Sequence, residues 1–177
     1  ERNLALGVGE VARERRVGVV SASFFELFDA PPVLGRYFGP EEDTPPRGAE
    51  VAVLSHAFWR TEFGGRDVLG EPLQVGNVRA TIIGVAPEGF AGVNDTDPPV
   101  VYIPITTFAG MSGTDDAATY FSGYGWGWVN ILVRRKPGVT LDQASADATD
   151  AYRRSWMAER QAEPSMPTAE EVGVHVV

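Results

Sequence analysis

The 177-residue sequence contains no cysteine. Without a thiol the chain can form no disulfide, hold no metal through a thiolate and use no cysteine nucleophile. Proteins of the cytosol and of extracytoplasmic spaces can both lack cysteine, so the cellular compartment stays open on this ground. The absence excludes a class of chemistry and does not indicate a location.

Long apolar runs are missing as well. No stretch of the sequence reaches the about 18 consecutive apolar residues that a membrane-spanning helix requires. A secretory signal peptide is not recognisable at the start of the sequence. The chain begins at Glu1 without a methionine, so we expect it to be a piece of a longer protein.

Basic residues are fewer than acidic residues in this sequence. Lys and Arg number 15 against 24 Asp and Glu, which gives a formal net charge of −9. Nucleic acids and anionic membranes bind basic surfaces, so this balance argues against both as partners. A hydrophobic content of 44% is ordinary for a globular protein. The length indicates one domain, or two small lobes, with a real core.

A serine next to a histidine raises the question of nucleophilic catalysis. Ser55 follows the apolar run Val51–Leu54 and precedes a helical pattern that ends at Gly64. Residues adjacent in a helix do not face each other, so Ser55 and His56 form a poor nucleophile–base pair. The pattern instead predicts a strand, an N-cap at Ser55 and a helix with a left-handed C-cap at Gly64.

Two glycine patterns and one acidic turn resemble ligand sites only in part. Residues 7–12 match G-x-G-x-x-A, but Pro31-Pro32 interrupts the βαβ unit that a dinucleotide site needs. Residues 65–70 have P-loop spacing, but Glu71 stands where the phosphate-binding lysine is required. Residues 94–97 offer oxygens to calcium without a positioned bidentate carboxylate, so a polar turn is predicted. We therefore expect no cofactor, no metal and no catalytic residue.

Strands and helices are predicted without strict alternation, which indicates an α+β fold with a mixed sheet. Ser23–Glu26 has the form of a capping box that opens a short helix ending at Pro31-Pro32. Gly76-Asn77 is a tight turn between two strands. Besides Val51–Leu54, strands are predicted at Val17–Val20, Leu73–Val75, Val78–Val85 and Val100–Ile105.

The C-terminal third is predicted to pack a helix on a strand. Thr140–Gln143 is a second capping box, and it opens a helix that runs to about Arg160. Apolar residues at three- and four-residue steps form one stripe along this helix. The stripe consists of Leu141, Ala144, Ala148, Tyr152 and Trp156. We expect it to face a sheet containing a strand at Val129–Val133, with a final strand at Val172–Val177.

A long loop from Gly110 to Gly127 is rich in Gly, Ser and Asp and also carries aromatic residues. A loop of this length is either functional or disordered. The rings either anchor the loop to its own domain or contact a ligand or partner. The candidate contact residues are Tyr120, Phe121, Tyr124 and Trp126.

Several blocks in order resemble the MacB-like periplasmic core domain of bacterial ABC transporter permeases of the FtsX/MacB type. The blocks are "VSASFFELFDAPPVLGRYFGPEED", "VAVLSHAFWRTEFGGRDVLGEPLQVGNVRATIIGVAPEGF", "VVYIPI" and "WVNILVRRKPGVTLDQASAD". The likeness is greatest to the duplicated, large permeases of acidobacteria and covers roughly Val17 to Tyr152.

The resemblance implies a non-enzymatic domain on the extracytoplasmic (periplasmic) face of the bacterial inner membrane. The whole of 1–177 would be one core domain, with a porter-like lobe formed by 1–45 with 128–177 and a smaller β-rich inserted lobe at 46–127. Its implied role is to couple cytosolic ATP hydrolysis to substrate efflux or partner engagement. Implied partners are the membrane helices of the parent permease, a separate cytosolic ATPase subunit or domain, and a periplasmic adaptor or a second permease copy.

An alternative function is a small-molecule or glycan-binding sensor that uses the aromatic loop 110–127. A deep pocket lined by Tyr120, Tyr124 and Trp126 would favour the sensor. Rings packed on their own core would favour the transporter domain.

Overall fold

Seven strands form one mixed sheet in the computed structural model, which describes residues 1–111, 120–121, 129–162 and 164–168. The chain divides into two compact units, Glu1–Ser122 and Gly123–Val177. The strands all lie in the first unit. They are β1 (Arg2–Leu6), β2 (Arg13–Val20), β3 (Leu34–Gly35), β4 (Val51–Leu54), β5 (Pro72–Val75), β6 (Val78–Val85) and β7 (Val101–Pro104).

Short helices connect these strands, and one long helix lies in the second unit. In the first unit, α1 is His56–Phe63 and α2 is Ile105–Gly110, and 3-10 helices occur at Gly9–Val11, Ala22–Leu27 and Pro40–Glu42. In the second unit, α3 is Leu141–Ala162. Within the described part of the chain, every helix is too short or too polar to cross a bilayer.

Six of the seven strands close into a ring. The strand order is β3-β6-β4-β7-β2-β1-β5, and β5 also pairs with β6. The pairs β2–β7 and β4–β6 are parallel, and the other pairs are antiparallel. β3 lies outside the ring as an extension of β6. The predicted α+β class with a mixed sheet is therefore confirmed.

One face of every ring strand contributes to the same apolar core, so that face is the inside of the ring. Buried residues on this face include Leu6, Val17, Leu54, Val75, Ile82 and Ile103. Because side chains alternate along a strand, the neighbours of these residues point outward. On β4 all four residues are buried, which shows that both faces of this strand are covered.

The outer face of β4 and β7 is covered by aromatic residues. Tyr102 and Val53 point outward there and pack against the 3-10 helix Ala22–Leu27. We call the rings in mutual contact at this place the aromatic cluster. The aromatic cluster consists of Phe24, Phe25, Phe28, Tyr37, Phe38, Phe90 and Tyr102.

Most predicted elements of the first unit are confirmed. Strands occupy all five positions at which they were predicted, from Val17 to Ile105, with end points that differ by at most a few residues. Gly76-Asn77 joins β5 and β6 as a two-residue hairpin turn, with Val75 opposite Val78. Residues 7–12 form a turn with a short 3-10 helix between β1 and β2, and no βαβ unit follows.

The predicted capping box at Ser23–Glu26 is wrong. The helix there is a 3-10 helix that begins at Ala22, and its N-cap residue Ser21 makes no side-chain capping bond. The hydroxyl groups of Ser21 and Ser23 instead lie 3.0 Å apart. The first N–H, that of Ala22, donates to the carboxylate of Asp43 at 3.0 Å. A distant carboxylate thus replaces the local cap.

The second unit confirms one prediction and contradicts another. The N–H of Gln143 donates to Thr140 Oγ1 at 3.2 Å, and the N–H of Thr140 donates to Gln143 Oε1 at 2.9 Å, which is the predicted capping box. The strand predicted at Val129–Val133 is wrong, because no described residue pairs with it and Ile131 is 83% exposed. The stripe of α3 therefore does not face such a strand, and its first member, Leu141, is 68% exposed.

Two predictions have no test in these residues. The strand predicted at Val172–Val177 lies outside the described residues. Strands from 1–45 and from 46–127 share the single sheet. The assignment of lobes, with 1–45 joined to 128–177 and 46–127 as an inserted lobe, stays a prediction.

Candidate functional site

Ser55 caps helix α1 as predicted. Its Oγ accepts a hydrogen bond from the N–H of Phe58 at 3.2 Å, and the residue is only 7% exposed. Gly64 ends the helix with φ at 62°. The ring of His56 packs against Trp59, with the centroids 5.4 Å apart. Ser55 thus has a structural partner for its oxygen, and its neighbour His56 is engaged elsewhere.

Replacing Ser55 by alanine should lower the free energy of unfolding by about 1 kcal/mol, because the N–H of Phe58 loses its acceptor. Chemical denaturation measures this change. Hydrolysis of ester, peptide and glycoside substrates should be absent both before and after the substitution. Turnover that the substitution abolishes would contradict the capping role.

The glycine pattern of residues 65–70 is an ion-paired turn. Arg66 donates to both carboxylate oxygens of Glu71, the residue that stands in place of a phosphate-binding lysine. Asp67 accepts a hydrogen bond from the N–H of Leu69 at 3.1 Å. The only cationic side chain in the pattern therefore faces a carboxylate of its own chain, and the turn does not form a phosphate cradle.

The acidic segment before Pro98 is a turn held by its own asparagine. Asn94 Oδ1 accepts hydrogen bonds from the N–H groups of Thr96 and Asp97, both at 3.2 Å. Asp97 also lies 3.2 Å from Arg16. Across the described ranges, no three His, Asp or Glu side chains come together in a way that could hold a metal ion. The predicted polar turn is confirmed.

The aromatic loop is only partly described. Tyr120 is half-buried and Phe121 is 39% exposed. The other two predicted contact residues, Tyr124 and Trp126, lie outside the described residues. The interpretation of these four residues as partner or ligand contacts stays a prediction.

Asp43 joins three segments of the first unit, a role that sequence analysis missed. Its Oδ1 accepts hydrogen bonds from the N–H of Thr106 at 3.2 Å and from the hydroxyl of Thr106 at 2.7 Å. Its Oδ2 accepts a hydrogen bond from the N–H of Ala22. One carboxylate therefore accepts a backbone N–H from the first turn of α2 and another from the start of the 3-10 helix Ala22–Leu27. A single Asp in a charged, proline-rich loop carries no sequence signal for such a role.

Gly48 allows the loop after Asp43 to approach α2. A Cβ at Gly48 would lie 2.1 Å from Thr106 Oγ1 and 2.8 Å from the carbonyl oxygen of Glu42. Thr107, the next residue of α2, donates its hydroxyl proton to the carbonyl of Ala49 at 2.7 Å. The loop is thereby held against the first turn of α2.

An open recess lies where β6 changes partner from β5 to β3. It has a volume of about 430 Å³. Its lining is mostly apolar and includes Leu69, Ile82 and Ile83, with Arg36 at one side. Arg36 donates to both oxygens of Glu42 at 2.6 and 2.8 Å. These hydrogen bonds from Arg36 are the main reason why the pKa of Glu42 lies below its ordinary value.

Two tyrosines of the aromatic cluster stay protonated at neutral pH. Burial raises the pKa of Tyr37 to about 12, and it raises the pKa of Tyr102 as well. The hydroxyl of Tyr37 donates to the carbonyl of Ala30. The hydroxyl of Tyr102 is buried and has no hydrogen-bond partner within the described residues. Neither phenol is placed to act as a base.

The motifs that the sequence analysis weighed as catalytic or ligand sites form structural contacts in the described residues. The serine, the glycine patterns and the acidic turn all have structural roles. The remaining features are an apolar recess, the aromatic cluster and a carboxylate that joins loops.

The sequence matches known proteins over most of its length. A sequence model of the "MacB-like periplasmic core domain" family matches residues 4–151. A macrolide export ATP-binding/permease protein, MacB, from Chlorobaculum tepidum is 37% identical over 89 residues, and its counterpart from Bdellovibrio bacteriovorus is 33% identical over 89 residues. In both comparisons the match covers 50% of this chain and 13% of the relative.

Solved structures share the fold at low sequence identity. The periplasmic region of MacB from Actinobacillus actinomycetemcomitans superposes with a TM-score of 0.58 at 14% identity, over 94% of this chain and 74% of that chain. The extracellular domain of the noncanonic ABC-type transporter YknZ from Gram-positive bacteria gives a TM-score of 0.51 at 17% identity, over 64% of this chain and 56% of that chain.

Proposed function

The chain belongs to the MacB-like periplasmic core domain family, and from this membership we propose that it couples cytosolic ATP hydrolysis to substrate efflux or partner engagement outside the membrane. The observation that carries the proposal is the family match over residues 4–151. The matched segment covers 13% of the length of each of these two relatives, so their transport activity comes to this chain only as a proposal.

The structure of the first unit is consistent with a role in coupling. A closed ring leaves none of its six strands with a free edge, because each strand is hydrogen-bonded to a neighbour on both sides. Asp43 adds a polar tie between loops that emerge from different strands. Such a unit can transmit a movement that begins in membrane helices.

The partners in this proposal are the membrane helices of the parent permease and a cytosolic ATPase subunit or domain. A periplasmic adaptor or a second permease copy completes the set. The aromatic loop is the proposed contact for one of these partners, through Tyr120, Phe121, Tyr124 and Trp126. The names of the relatives indicate macrolides as the first substrate class to test.

The proposal predicts that a core substitution in this domain separates ATP hydrolysis from efflux. Val17 is fully buried inside the ring, so Val17→Asp places a charge in an apolar core and should disrupt the domain. In cells that carry the full-length permease and its ATPase, we expect accumulation of a radiolabelled macrolide to rise to the level of an ATPase-inactive variant. ATP hydrolysis by the purified complex should persist.

The matched control is Val93→Asp, the same chemical change at a residue that is 58% exposed. Because the introduced carboxylate stays in water, efflux should remain at the parent level. The coupling role would be contradicted if cells with the Val17→Asp permease exported the macrolide as well as the parent cells did. This outcome counts only when the variant domain has been shown to be unfolded.

A further inference from the structure

The ring of strands is closed most narrowly between β1 and β5. This contact contains one residue pair, Leu6 opposite Val75. The N–H of Gly7 donates to the carbonyl of Gln74 at 3.0 Å, and the N–H of Gly76 donates to the carbonyl of Ala5 at 2.7 Å. By comparison, β1 pairs with β2 over five residue pairs and β5 pairs with β6 over four. We call the Leu6–Val75 pair and its two hydrogen bonds the seam.

The seam joins two hairpins that are each complete without it. β1 and β2 are connected by the turn of residues 7–12, and β5 and β6 by Gly76-Asn77. Separating the two hairpins at the seam therefore breaks no bond inside either of them. The other contacts of the ring involve two to five residue pairs each. If the ring opens locally, the seam is where the fewest strand-to-strand residue pairs are broken.

Glycine stands next to the seam on both strands. Gly7 has φ at 93° and Gly76 has φ at 57°, a region that glycine enters without steric cost. Each donates one of the two seam hydrogen bonds, so a change of its backbone angles would release that bond. One side-chain bond limits the movement, because Asn77 Nδ2 donates to the carbonyl of Met111 at 2.8 Å and holds the turn near the end of α2.

We propose that the seam is a built-in opening of the domain, at which the β1–β2 and β5–β6 hairpins separate while the rest of the ring stays paired. Opening exposes Leu6 and Val75, which are 6% and 0% exposed in the closed ring. It also frees the hydrogen-bonding edge of β5. This inference concerns movement inside the domain, and it holds whether or not the domain couples ATP hydrolysis to efflux.

Hydrogen–deuterium exchange of the full-length permease in nanodiscs tests the proposal. We expect the amides of Gly7 and Gly76 to exchange at least about tenfold faster than the amides that join β2 to β7, because local opening precedes global unfolding. Peptides that span residues 5–9 and 74–77 report on the seam. Peptides that span residues 17–20 report on the amides that join β2 to β7, which serve as the reference. Equal exchange at the two places would overturn the proposal.

A disulfide across the seam sharpens this test. The two hydrogen bonds flank Leu6 and Val75, which makes them a non-hydrogen-bonded antiparallel pair, with a Cα separation of about 4.5 Å that suits a disulfide. The segment has no other cysteine, so Leu6→Cys with Val75→Cys forms one defined bond within it. Oxidation should slow exchange of the Gly7 and Gly76 amides by about tenfold relative to the reduced form of the same variant.

The matched control places the same bond inside one hairpin. Gln74 lies opposite Arg79 in the β5–β6 hairpin, next to the seam but not across it. Oxidation of Gln74→Cys with Arg79→Cys should leave the exchange of the Gly7 amide unchanged. The proposal fails if the control disulfide protects Gly7 as strongly as the seam disulfide. It also fails if the seam disulfide slows amide exchange equally in all strands of the ring.

Discussion

Replacing Asp43 by alanine should lower the free energy of unfolding of the first unit by about 3–5 kcal/mol. The substitution removes the acceptor of three hydrogen bonds, from the N–H of Ala22 and from the N–H and hydroxyl of Thr106. These donors lie in a half-buried place at the starts of two helices. Thermal unfolding should show a loss of about 6–20 °C in Tm for a chain of this size.

Two further variants define what Asp43 does. Asp43→Asn keeps one acceptor oxygen but turns an N–H₂ group toward a donor. Its loss in free energy of unfolding should therefore be smaller than that of Asp43→Ala but larger than zero. Asp97→Ala is the matched control, because the Asp97 side chain is 71% exposed and its ion pair with Arg16 is solvated. The control should change stability by no more than about 0.5 kcal/mol. Equal effects of Asp43→Ala and Asp97→Ala would show that Asp43 does not hold the loops together.

Replacing Gly84 by alanine should destabilise the first unit by about 2–3 kcal/mol. A Cβ at this position would lie 2.1 Å from the carbonyl oxygen of Arg36, a backbone atom that cannot turn aside. Gly84 lies opposite Gly35 in the β3–β6 pair. Next to this pair, the N–H of Arg36 donates to the carbonyl oxygen of Ile83 at 2.9 Å. The added methyl group should push β3 away from β6 and break this bond.

The control for Gly84 is Gly64→Ala. No atom lies within 4 Å of the position that a Cβ would take at Gly64, so this change adds only the strain of a left-handed residue. It should cost about 1–2 kcal/mol. Exchange of the Arg36 amide should accelerate in Gly84→Ala and stay unchanged in Gly64→Ala. If the Arg36 amide exchanges at the same rate in Gly84→Ala as in the parent chain, β3 does not pack closely against β6 at this position.

Elements with a strong local signal could be predicted from the sequence. Ser55 and Gly64 bound α1 because a hydroxyl at the N-cap and a left-handed glycine at the C-cap act on their own helix. Gly76-Asn77 joins the two strands β5 and β6, and the tight turn sets the pairing of Val75 with Val78. Thr140 and Gln143 cap each other within one turn of α3. In each of these places the partner lies within a few residues.

Predictions failed where the partner lies far away in sequence. Ser23 has the residues of a capping box around it, but Asp43 reaches the first N–H of that helix from about 20 residues away and the local cap is not formed. The run Val129–Val133 has strand propensity, but propensity alone does not supply a partner strand, and none pairs with it in the described ranges. Local chemistry permits several outcomes at such places, and tertiary contacts select one.

The sequence by itself determined the class of fold, the ends of α1, the β5–β6 hairpin and the family, because these depend on local geometry or on the order of matching blocks. It also excluded thiol chemistry through the absence of cysteine. Only the tertiary structure decided that the strands close into a ring, since closure depends on the β5–β1 and β5–β6 pairings together. The role of Asp43 and the narrow seam at Leu6 and Val75 likewise arise from residues that only the folded chain brings together.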